Sequence, residues 1–154
     1  MGLTIEKEDC MMLVRNINET DLVDITYLMA ELGYETTVSE MRNRLLELTN
    51  NPDYHTIVAE LDNEVVGLLG LHIGIAYEFS GCYGRIICLV VNRKSRKNGI
   101  GKKLIDRAIE IISERNGNTL VLNSGNRLDR ETAHKFYLDN GFSAKSTGFV
   151  MRFN

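Results

Sequence analysis

The sequence predicts a mixed α/β fold, in which a central sheet is flanked by about four helices. The chain has 154 residues, of which 44% are hydrophobic and 25% are charged, as expected for one globular domain. Its apolar residues recur with a period of two in some segments and of about 3.6 in others. These segments follow the order strand, two helices, three strands, helix, strand, helix, strand, which differs from a regularly alternating doubly wound sheet. We therefore expect a single domain over residues 1–154.

The first half of the chain is predicted to hold a strand, two helices and a β-hairpin. Helical periodicity follows Thr20, the expected N-cap, and ends at Gly33, and a second helix begins near Thr37 or Ser39. Asp62-Asn63 is a turn signal between two apolar runs. The predicted elements are a strand over 11–17, helices over 21–32 and 38–48, and hairpin strands over 54–61 and 64–77.

The second half is predicted to begin with a buried strand over 86–91, an unbroken apolar run suited to the centre of a sheet. A long helix opens at Gly99-Ile100-Gly101 and ends at Asn116-Gly117. A short strand over 119–122 and a helix over 129–140 follow, and Gly141 closes that helix as a C-terminal cap. Residues 142–153 are expected to form a last strand or strand pair.

Composition and charge exclude several classes of protein. The net charge of −3 argues against a nucleic-acid-binding protein, which is usually strongly basic. No apolar stretch approaches the roughly 20 residues needed to span a bilayer, so no membrane association is expected. The three cysteines have no C-x-x-C spacing, which fits reduced thiols in the cytoplasm. No histidine has a second ligand at a recognised metal spacing, so no metal site is expected.

Basic residues are concentrated after the strand over 86–91, in a loop that leads directly into a helix. The N-terminus of a helix leaves backbone N–H groups unpaired and attracts anions, and glycines let a phosphate approach closely. The segment therefore predicts a phosphate cradle, formed by Arg96, Lys97, Asn98, Gly99, Ile100, Gly101, Lys102 and Lys103. A Walker A loop is excluded by Arg96 and Lys103, and a dinucleotide fingerprint by Leu104. The alternative interpretation is that both glycines only permit close packing of the helix on the sheet.

Two motifs give the chain a family resemblance. The sequence R-K-N-G-I-G over 96–101 resembles the pyrophosphate loop of the GNAT acetyltransferases. The sequence A-H-K-F-Y-L-D-N-G-F over 133–142 resembles that family's A-x-x-F-Y-x-x-x-G-F signature, at the expected distance along the chain. The strand V-V-G-L-L-G over 65–70 also resembles a central strand of the family. The resemblance implies a GNAT-like acyl-CoA N-acyltransferase fold with acetyl-CoA as cosubstrate.

The resemblance also implies roles for individual residues. The pantetheine arm of acetyl-CoA would lie between the strands over 86–91 and 119–122, and bind backbone groups of Leu89 and Val91. The N–H of Leu89 would polarise the acetyl carbonyl, and residues 96–103 would hold the pyrophosphate. Tyr137 would act as the general acid that protonates the departing thiolate. Arg130 stands where many relatives have an asparagine that contacts pantetheine.

The acceptor side departs from the family pattern. Relatives often carry a carboxylate on the strand before the loop, whereas this strand offers only Arg85 and Cys88 as non-aliphatic side chains. The general base is therefore left open among Glu31, Glu78, His72 and water. The acceptor pocket is expected to be lined by Tyr34, His72, Tyr77 and Glu78. Gly70-Leu71-His72 and the segment over 130–137 also resemble a subgroup that includes aminoalkylphosphonate N-acetyltransferases.

The sequence thus predicts an N-acetyltransferase that transfers the acetyl group of acetyl-CoA directly to a primary amine. The acceptor is a small-molecule amine or an amine of a protein. The alternative is a non-catalytic acyl-CoA-binding or regulatory module on the same fold, which the missing carboxylate would favour. The resemblance further implies a homodimer, a state common in that family, for which the C-terminal strands could supply the interface.

Overall fold

The computed structural model describes residues 11–125 and 130–154. Within these residues the chain forms one five-stranded sheet with four α-helices, as predicted. The elements are β1 Met12–Asn16, α1 Leu22–Leu32, α2 Val38–Thr49, β2 Tyr54–Leu61, β3 Glu64–Ile75, β4 Cys82–Val91, α3 Ile100–Glu114, β5 Leu120–Leu122 and α4 Glu131–Asp139.

The sheet is mixed, and its strands lie in the order of the sequence. The three pairs from β1 to β4 are antiparallel, and β5 pairs with β4 in parallel. Since parallel neighbours need a crossover connection, α3 carries the chain from the end of β4 back to the start of β5. This crossover places the N-terminus of α3 beside the end of β4, where the predicted phosphate loop lies.

Two apolar layers hold the helices on opposite faces of the sheet. Helix α3 packs on one face through Ile100, Leu104 and Ala108, which are at most 1% exposed. Helices α1 and α2 cover part of the other face. Burial of each large aliphatic side chain stabilises the fold by about 1.5–3 kcal/mol. The buried side chains from α1 and α2 are Ile25, Leu28, Met41 and Leu45.

The ends of α1 and α2 follow local sequence signals. Thr37 caps α2 by accepting a hydrogen bond from the backbone N–H of Glu40, whose side chain accepts one from the N–H of Thr37. Gly33 ends α1 in the left-handed region, with φ of +103°. The prediction that Thr20 caps α1 is wrong. Asn18 instead caps a 3-10 turn over Glu19–Asp21 that leads into the helix.

An ion-pair cluster fastens the start of α1 to the sheet. The guanidinium of Arg15 on β1 donates two hydrogen bonds to Asp21, of 2.7 and 2.8 Å, and one of 2.9 Å to Glu60 on β2. Burial alone would raise the pKa of Asp21, which is 3% exposed, but Arg15 and the N–H of Asn18 hold that pKa below its usual range. The cluster therefore stabilises the connection between β1 and α1.

Two predicted boundaries are corrected by the structure. Strand β4 begins at Cys82 rather than at Ile86. Gly84 leaves room for Ile112 of α3 to pack against this part of the strand, and its neighbours Tyr83 and Arg85 face away from α3. No strand forms over 142–153, all of which the structure describes. This segment pairs with no strand of the described sheet, and residues 143–154 are exposed.

Candidate functional site

Strands β4 and β5 separate into a wedge halfway along β4. Their parallel pairing runs from Gly84 with Leu120 to Ile86 with Leu122, where β5 ends. A β-bulge lies at this point, because Ile86 pairs with Leu71 and Cys88 pairs with Gly70, which leaves Ile87 between them. Bulges bend a strand and increase its twist. The bulge therefore helps to turn the rest of β4 away from β5.

The wedge leaves one edge of β4 without a partner strand. Leu89 and Val91 pair with β3 on one side, through Leu69 and Gly67. On the other side, the described part of β5 extends no further than Leu122. Backbone groups that point into the wedge are thus available to a ligand with amide groups. Leu89 and Val91 lie on this edge of β4, and their contacts with a ligand stay a prediction.

The loop between β4 and α3 has the backbone geometry of an anion site. Lys97 and Gly99 both adopt the left-handed region, with φ of +67° and +74°. Arg96 folds back, and its Nε donates a 3.0 Å hydrogen bond to the carbonyl of Val91. Asn98 donates from Nδ2 to the carbonyl of Ser95, over 3.1 Å. These bonds stabilise the loop with its turn held against the end of β4.

The first turn of α3 is open to an anion. No side chain among the described residues caps the N-terminus at Gly99, and the first helical hydrogen bond is that of Lys103 N–H to the carbonyl of Gly99. The N–H groups of the first turn and the positive end of the helix dipole can therefore bind a phosphate. Lys97, Lys102 and Lys103 are exposed beside it, and Lys102 forms a 2.7 Å ion pair with Asp106. The residues present fit a pyrophosphate group.

Helix α4 brings Tyr137 to the wedge. Its ring packs edge-to-face between Phe136 and Phe142, with centroids 5.5 and 5.7 Å away. Burial raises the pKa of Tyr137; Arg130 opposes this effect and Cys88 adds to it. The phenol is therefore protonated throughout the neutral range. Within the described residues its hydroxyl has no recorded hydrogen-bond partner, so the proton is free to be donated.

The proximity of Cys88 to Tyr137 was not predicted. Cys88 lies directly after the bulge, opposite Gly70, where an added Cβ would be 3.0 Å from Sγ. Burial raises the pKa of the thiol, although a backbone hydrogen bond from Gly70 partly opposes this, and the thiol stays protonated at neutral pH. The sequence identifies Cys88 as a polar interruption in an apolar strand. Only the sheet register and the position of α4 place it beside Tyr137.

The predicted acceptor residues lie in three places. His72 lies near the end of β3 and packs against Tyr54, with ring centroids 4.6 Å apart. Tyr34 follows α1, is exposed, and lines the same groove as Tyr137. Tyr77 and Glu78 lie in the loop between β3 and β4, and both are exposed. Their contact with an acceptor stays a prediction for all four residues.

Glu31 is held at the beginning of the phosphate loop. Its carboxylate accepts a 3.3 Å hydrogen bond from the backbone N–H of Arg93. This contact ties α1 to the loop after β4, so the acceptor-side helices and the phosphate loop are linked. Glu31 has a structural contact in this position, and its use as a general base stays one of the predicted alternatives.

A groove of about 1280 Å³ lies beside β5, apart from the phosphate loop. It is lined by β5, by α3 and α4, and by the C-terminal segment over 143–148. The chain then continues into a run of exposed apolar side chains. Phe149, Val150, Met151 and Phe153 are between 82% and 93% exposed. Such a run is unusual on the surface of a monomeric protein.

Residues 11–125 and 130–154 contain neither a cluster of metal ligands nor a membrane-spanning helix. No group of three or more His, Cys, Asp or Glu side chains has the spacing to hold a metal ion. No helix in this part of the chain is both long and apolar enough to cross a lipid bilayer.

Comparison with known proteins gives consistent results. The sequence model of the acetyltransferase (GNAT) family matches residues 21–142. An aminoalkylphosphonate N-acetyltransferase of Salmonella typhimurium is 28% identical over 153 residues, which cover 97% of this chain and 98% of that protein.

Two solved structures are similar over almost their whole length. A GNAT family acetyltransferase of Staphylococcus aureus is 29% identical, with a TM-score of 0.79, over 92% of this chain and 98% of that one. A protein of Bacillus halodurans described as a transcriptional regulator is 25% identical, with a TM-score of 0.81, over 93% of this chain and 100% of that one.

Proposed function

Because the chain belongs to the acetyltransferase (GNAT) family and is an N-acetyltransferase, we propose that the wedge between β4 and β5 is its acetyl-CoA site. The observation that supports the proposal best is the splaying of the two strands directly beside the phosphate loop. A long ligand with a pyrophosphate at one end and amides along its length would satisfy both features. The residues proposed to hold the pyrophosphate are Arg96, Lys97, Asn98, Gly99, Ile100, Gly101, Lys102 and Lys103.

We assign the following roles in the transfer step. Acetyl-CoA supplies an acetyl thioester, and the acceptor supplies a neutral primary amine. The N–H of Leu89 donates a hydrogen bond to the carbonyl oxygen as negative charge develops there. Val91 binds the pantetheine arm through its backbone, and Arg130, whose charge lowers the pKa of Tyr137, contacts the same arm. The carbon–nitrogen bond forms, the carbon–sulfur bond breaks, and Tyr137 gives its proton to the sulfur.

The proton lost by the amine must leave by another route. Cys88 is a poor base, because burial raises the pKa of its thiol. Glu31, Glu78, His72 and water in the cleft remain the proposed bases. Since only the neutral amine attacks, we expect activity to rise with pH until the amine or its base has lost its proton.

Direct calorimetric titration with acetyl-CoA tests the proposal. We expect acetyl-CoA and desulfo-CoA to bind, and ATP to bind far more weakly, because ATP lacks the pantetheine arm that pairs with β4. The double substitution Lys102→Glu with Lys103→Glu reverses two exposed charges beside the loop without changing its backbone, and it should strongly weaken acetyl-CoA binding. Absence of acetyl-CoA binding by the wild type would refute the assignment of the wedge.

A second candidate is an acyl-CoA-binding module without catalysis. It is favoured by the absence of a carboxylate on the described strand β4, which carries Arg85 and Cys88 instead. Release of CoA that depends on an added amine would exclude it. Retained acetyl-CoA binding without any such release would support it.

We also propose that the protein is a homodimer and that it works in the cytoplasm. The exposed apolar run over 149–153 supports the dimer, since a second copy of the chain would bury it. The free thiols of Cys82 and Cys88 support a reducing compartment. The acceptor is a primary amine, and the aminoalkylphosphonate named for the Salmonella relative is one candidate.

A further inference from the structure

Arg85 lies on β4 three residues before Cys88, and it faces away from α3. It pairs directly with His72 on β3, so the two side chains occupy the same face of the sheet. Its neighbours Gly84 and Ile86 point to the other face, where they meet α3. The core beneath α1 and α2 includes Cys88 and Val90 from β4 but not Arg85. Arg85 therefore lies at the border of the part of the sheet that these helices cover.

Arg85 is partly buried and has no acidic partner among the described residues. No hydrogen bond or ion pair to Arg85 is recorded within residues 11–125 and 130–154. The other partly buried arginine of the sheet, Arg15, pairs with both Asp21 and Glu60. A guanidinium without a protein carboxylate keeps its hydrogen-bond donors available to an anion from outside the chain. An unpaired guanidinium in this position is explained if a ligand supplies the anion.

The location of Arg85 suits recognition of the acceptor. Pairing of β4 with β5 ends one residue after Arg85, where the wedge opens. Strand spacing of about 3.3 Å per residue puts the Cα of Arg85 about 10 Å from that of Cys88. An extended arginine side chain covers much of this distance. A short amine at the wedge would therefore have its far end within reach of the guanidinium, and the planar fork of Arg matches a phosphonate, phosphate or carboxylate.

We infer that the acceptor is a short amine with an anionic group at its far end, and that Arg85 binds this group. The inference rests on the proposed acetyltransferase site and adds the substrate class and the residue that selects it. Arg85 acts on specificity and takes no part in the chemistry of transfer. The same positive charge disfavours polyamines and other cationic acceptors.

The experiment compares short amines whose far ends are anionic, neutral or cationic. Release of CoA is measured with 2-aminoethylphosphonate and its diethyl ester, with β-alanine and β-alaninamide, and with 1,3-diaminopropane. For the wild type we expect the anionic member of at least one pair to have a kcat/KM at least 10-fold above that of its neutral partner. Faster acetylation of both neutral partners, or of the diamine, would overturn the inference.

Two variants and a control assign the preference to Arg85. Arg85→Met should lower kcat/KM for the preferred anionic amine by about 10- to 100-fold, mainly through KM, and leave the neutral partner unchanged. Arg85→Lys should restore part of the loss. Arg107→Met, which removes a partly exposed arginine of α3, is the matched control. An equal loss for charged and neutral amines in Arg85→Met would contradict the assignment.

Failure of this inference is distinguishable from failure of the proposed function. Acetyl-CoA binding is measured by calorimetry on every variant, and Arg85→Met should bind it as the wild type does. If acetyl-CoA binds but no anionic amine is acetylated, the acceptor class is wrong and the acetyl-CoA site stands. If acetyl-CoA does not bind, the proposed acetyl-CoA site is wrong, and the inference about Arg85 is wrong as well.

Discussion

Gly101 on the first turn of α3 lies directly against the ring of Phe136 on α4. A Cβ added at Gly101 would be 2.8 Å from Cζ of Phe136, closer than real Cβ contacts allow. The residue next to Phe136 is Tyr137, whose ring packs on it. The two motifs of the sequence, the loop at 96–101 and the signature at 133–142, therefore meet in space. Gly101 is needed for this contact as well as for an open phosphate site.

Replacement of Gly101 by Ala tests this relationship. The added methyl must displace Phe136, and we expect a loss of about 1–3 kcal/mol in the free energy of unfolding, measured with urea. Because Tyr137 moves with Phe136, kcat should fall by a larger factor than the affinity for acetyl-CoA. Adding Phe136→Leu to Gly101→Ala makes room for the methyl and should recover part of the stability. A double variant no more stable than the Gly101→Ala single variant would contradict the packing explanation.

Replacement of Tyr137 by Phe removes the proposed general acid. We expect kcat to fall by about 10²- to 10⁴-fold, because the thiolate must then leave without a proton. Binding of acetyl-CoA and the midpoint of thermal unfolding should change little, since both aromatic contacts are kept. Calorimetry and steady-state kinetics on the same preparation separate the two effects. Unchanged turnover would remove Tyr137 from the mechanism.

The pH profile provides an independent test of Tyr137. Its pKa is raised above the usual value of about 10. The acid form is therefore present throughout the neutral range, and any descending limb that Tyr137 causes should lie above pH 10. A descending limb centred below pH 9 that disappears in Tyr137→Phe would show that the phenol is more acidic than the structure implies.

Replacement of Asp21 by Asn tests the ion-pair cluster. We expect a loss of about 3 kcal/mol at pH 7, because Arg15 loses a buried bidentate partner. The folded pKa of Asp21 is lowered, so its contribution is complete above about pH 4 and is lost as pH falls through the folded value. The gap between wild type and variant should therefore narrow at pH 3, as urea unfolding at both pH values would measure. Glu110→Gln, in an exposed pair with Arg107, should cost less than about 0.5 kcal/mol.

The exposed apolar run over 149–153 predicts that the protein is a dimer in solution. Light scattering after size-exclusion chromatography should give twice the mass of the chain for the wild type. The double substitution Phe149→Ser with Met151→Ser should shift the protein towards the monomer, because both side chains are more than 80% exposed in the single chain. Arg152→Ser lies in the same segment and should leave the dimer intact. A monomeric wild type at micromolar concentration would refute the proposed dimer.

The sequence alone determined those helices and strands whose ends or faces are marked by local sequence patterns. Capping residues, a hairpin turn and apolar periodicity fix the positions of α1, α2, β2, β3 and α3 to within a few residues. The two motifs determined the family, which comparison confirmed. The start of β4 was missed, because Gly84 and Arg85 interrupt the apolar pattern although both lie in the sheet. Their place there depends on contacts with α3 and β3 that no local pattern records.

Only the tertiary structure decided how the site is assembled. The bulge at Ile87 and the end of pairing at Leu122 are matters of register, which depends on how two distant segments align. Register also decides that Cys88 acts electrostatically on Tyr137 and that Arg85 has no counter-ion among the described residues. In residues 142–153 the apolar pattern predicts a strand, but the single chain does not form one. A strand requires a partner, and the sequence of a strand does not specify which edge supplies it.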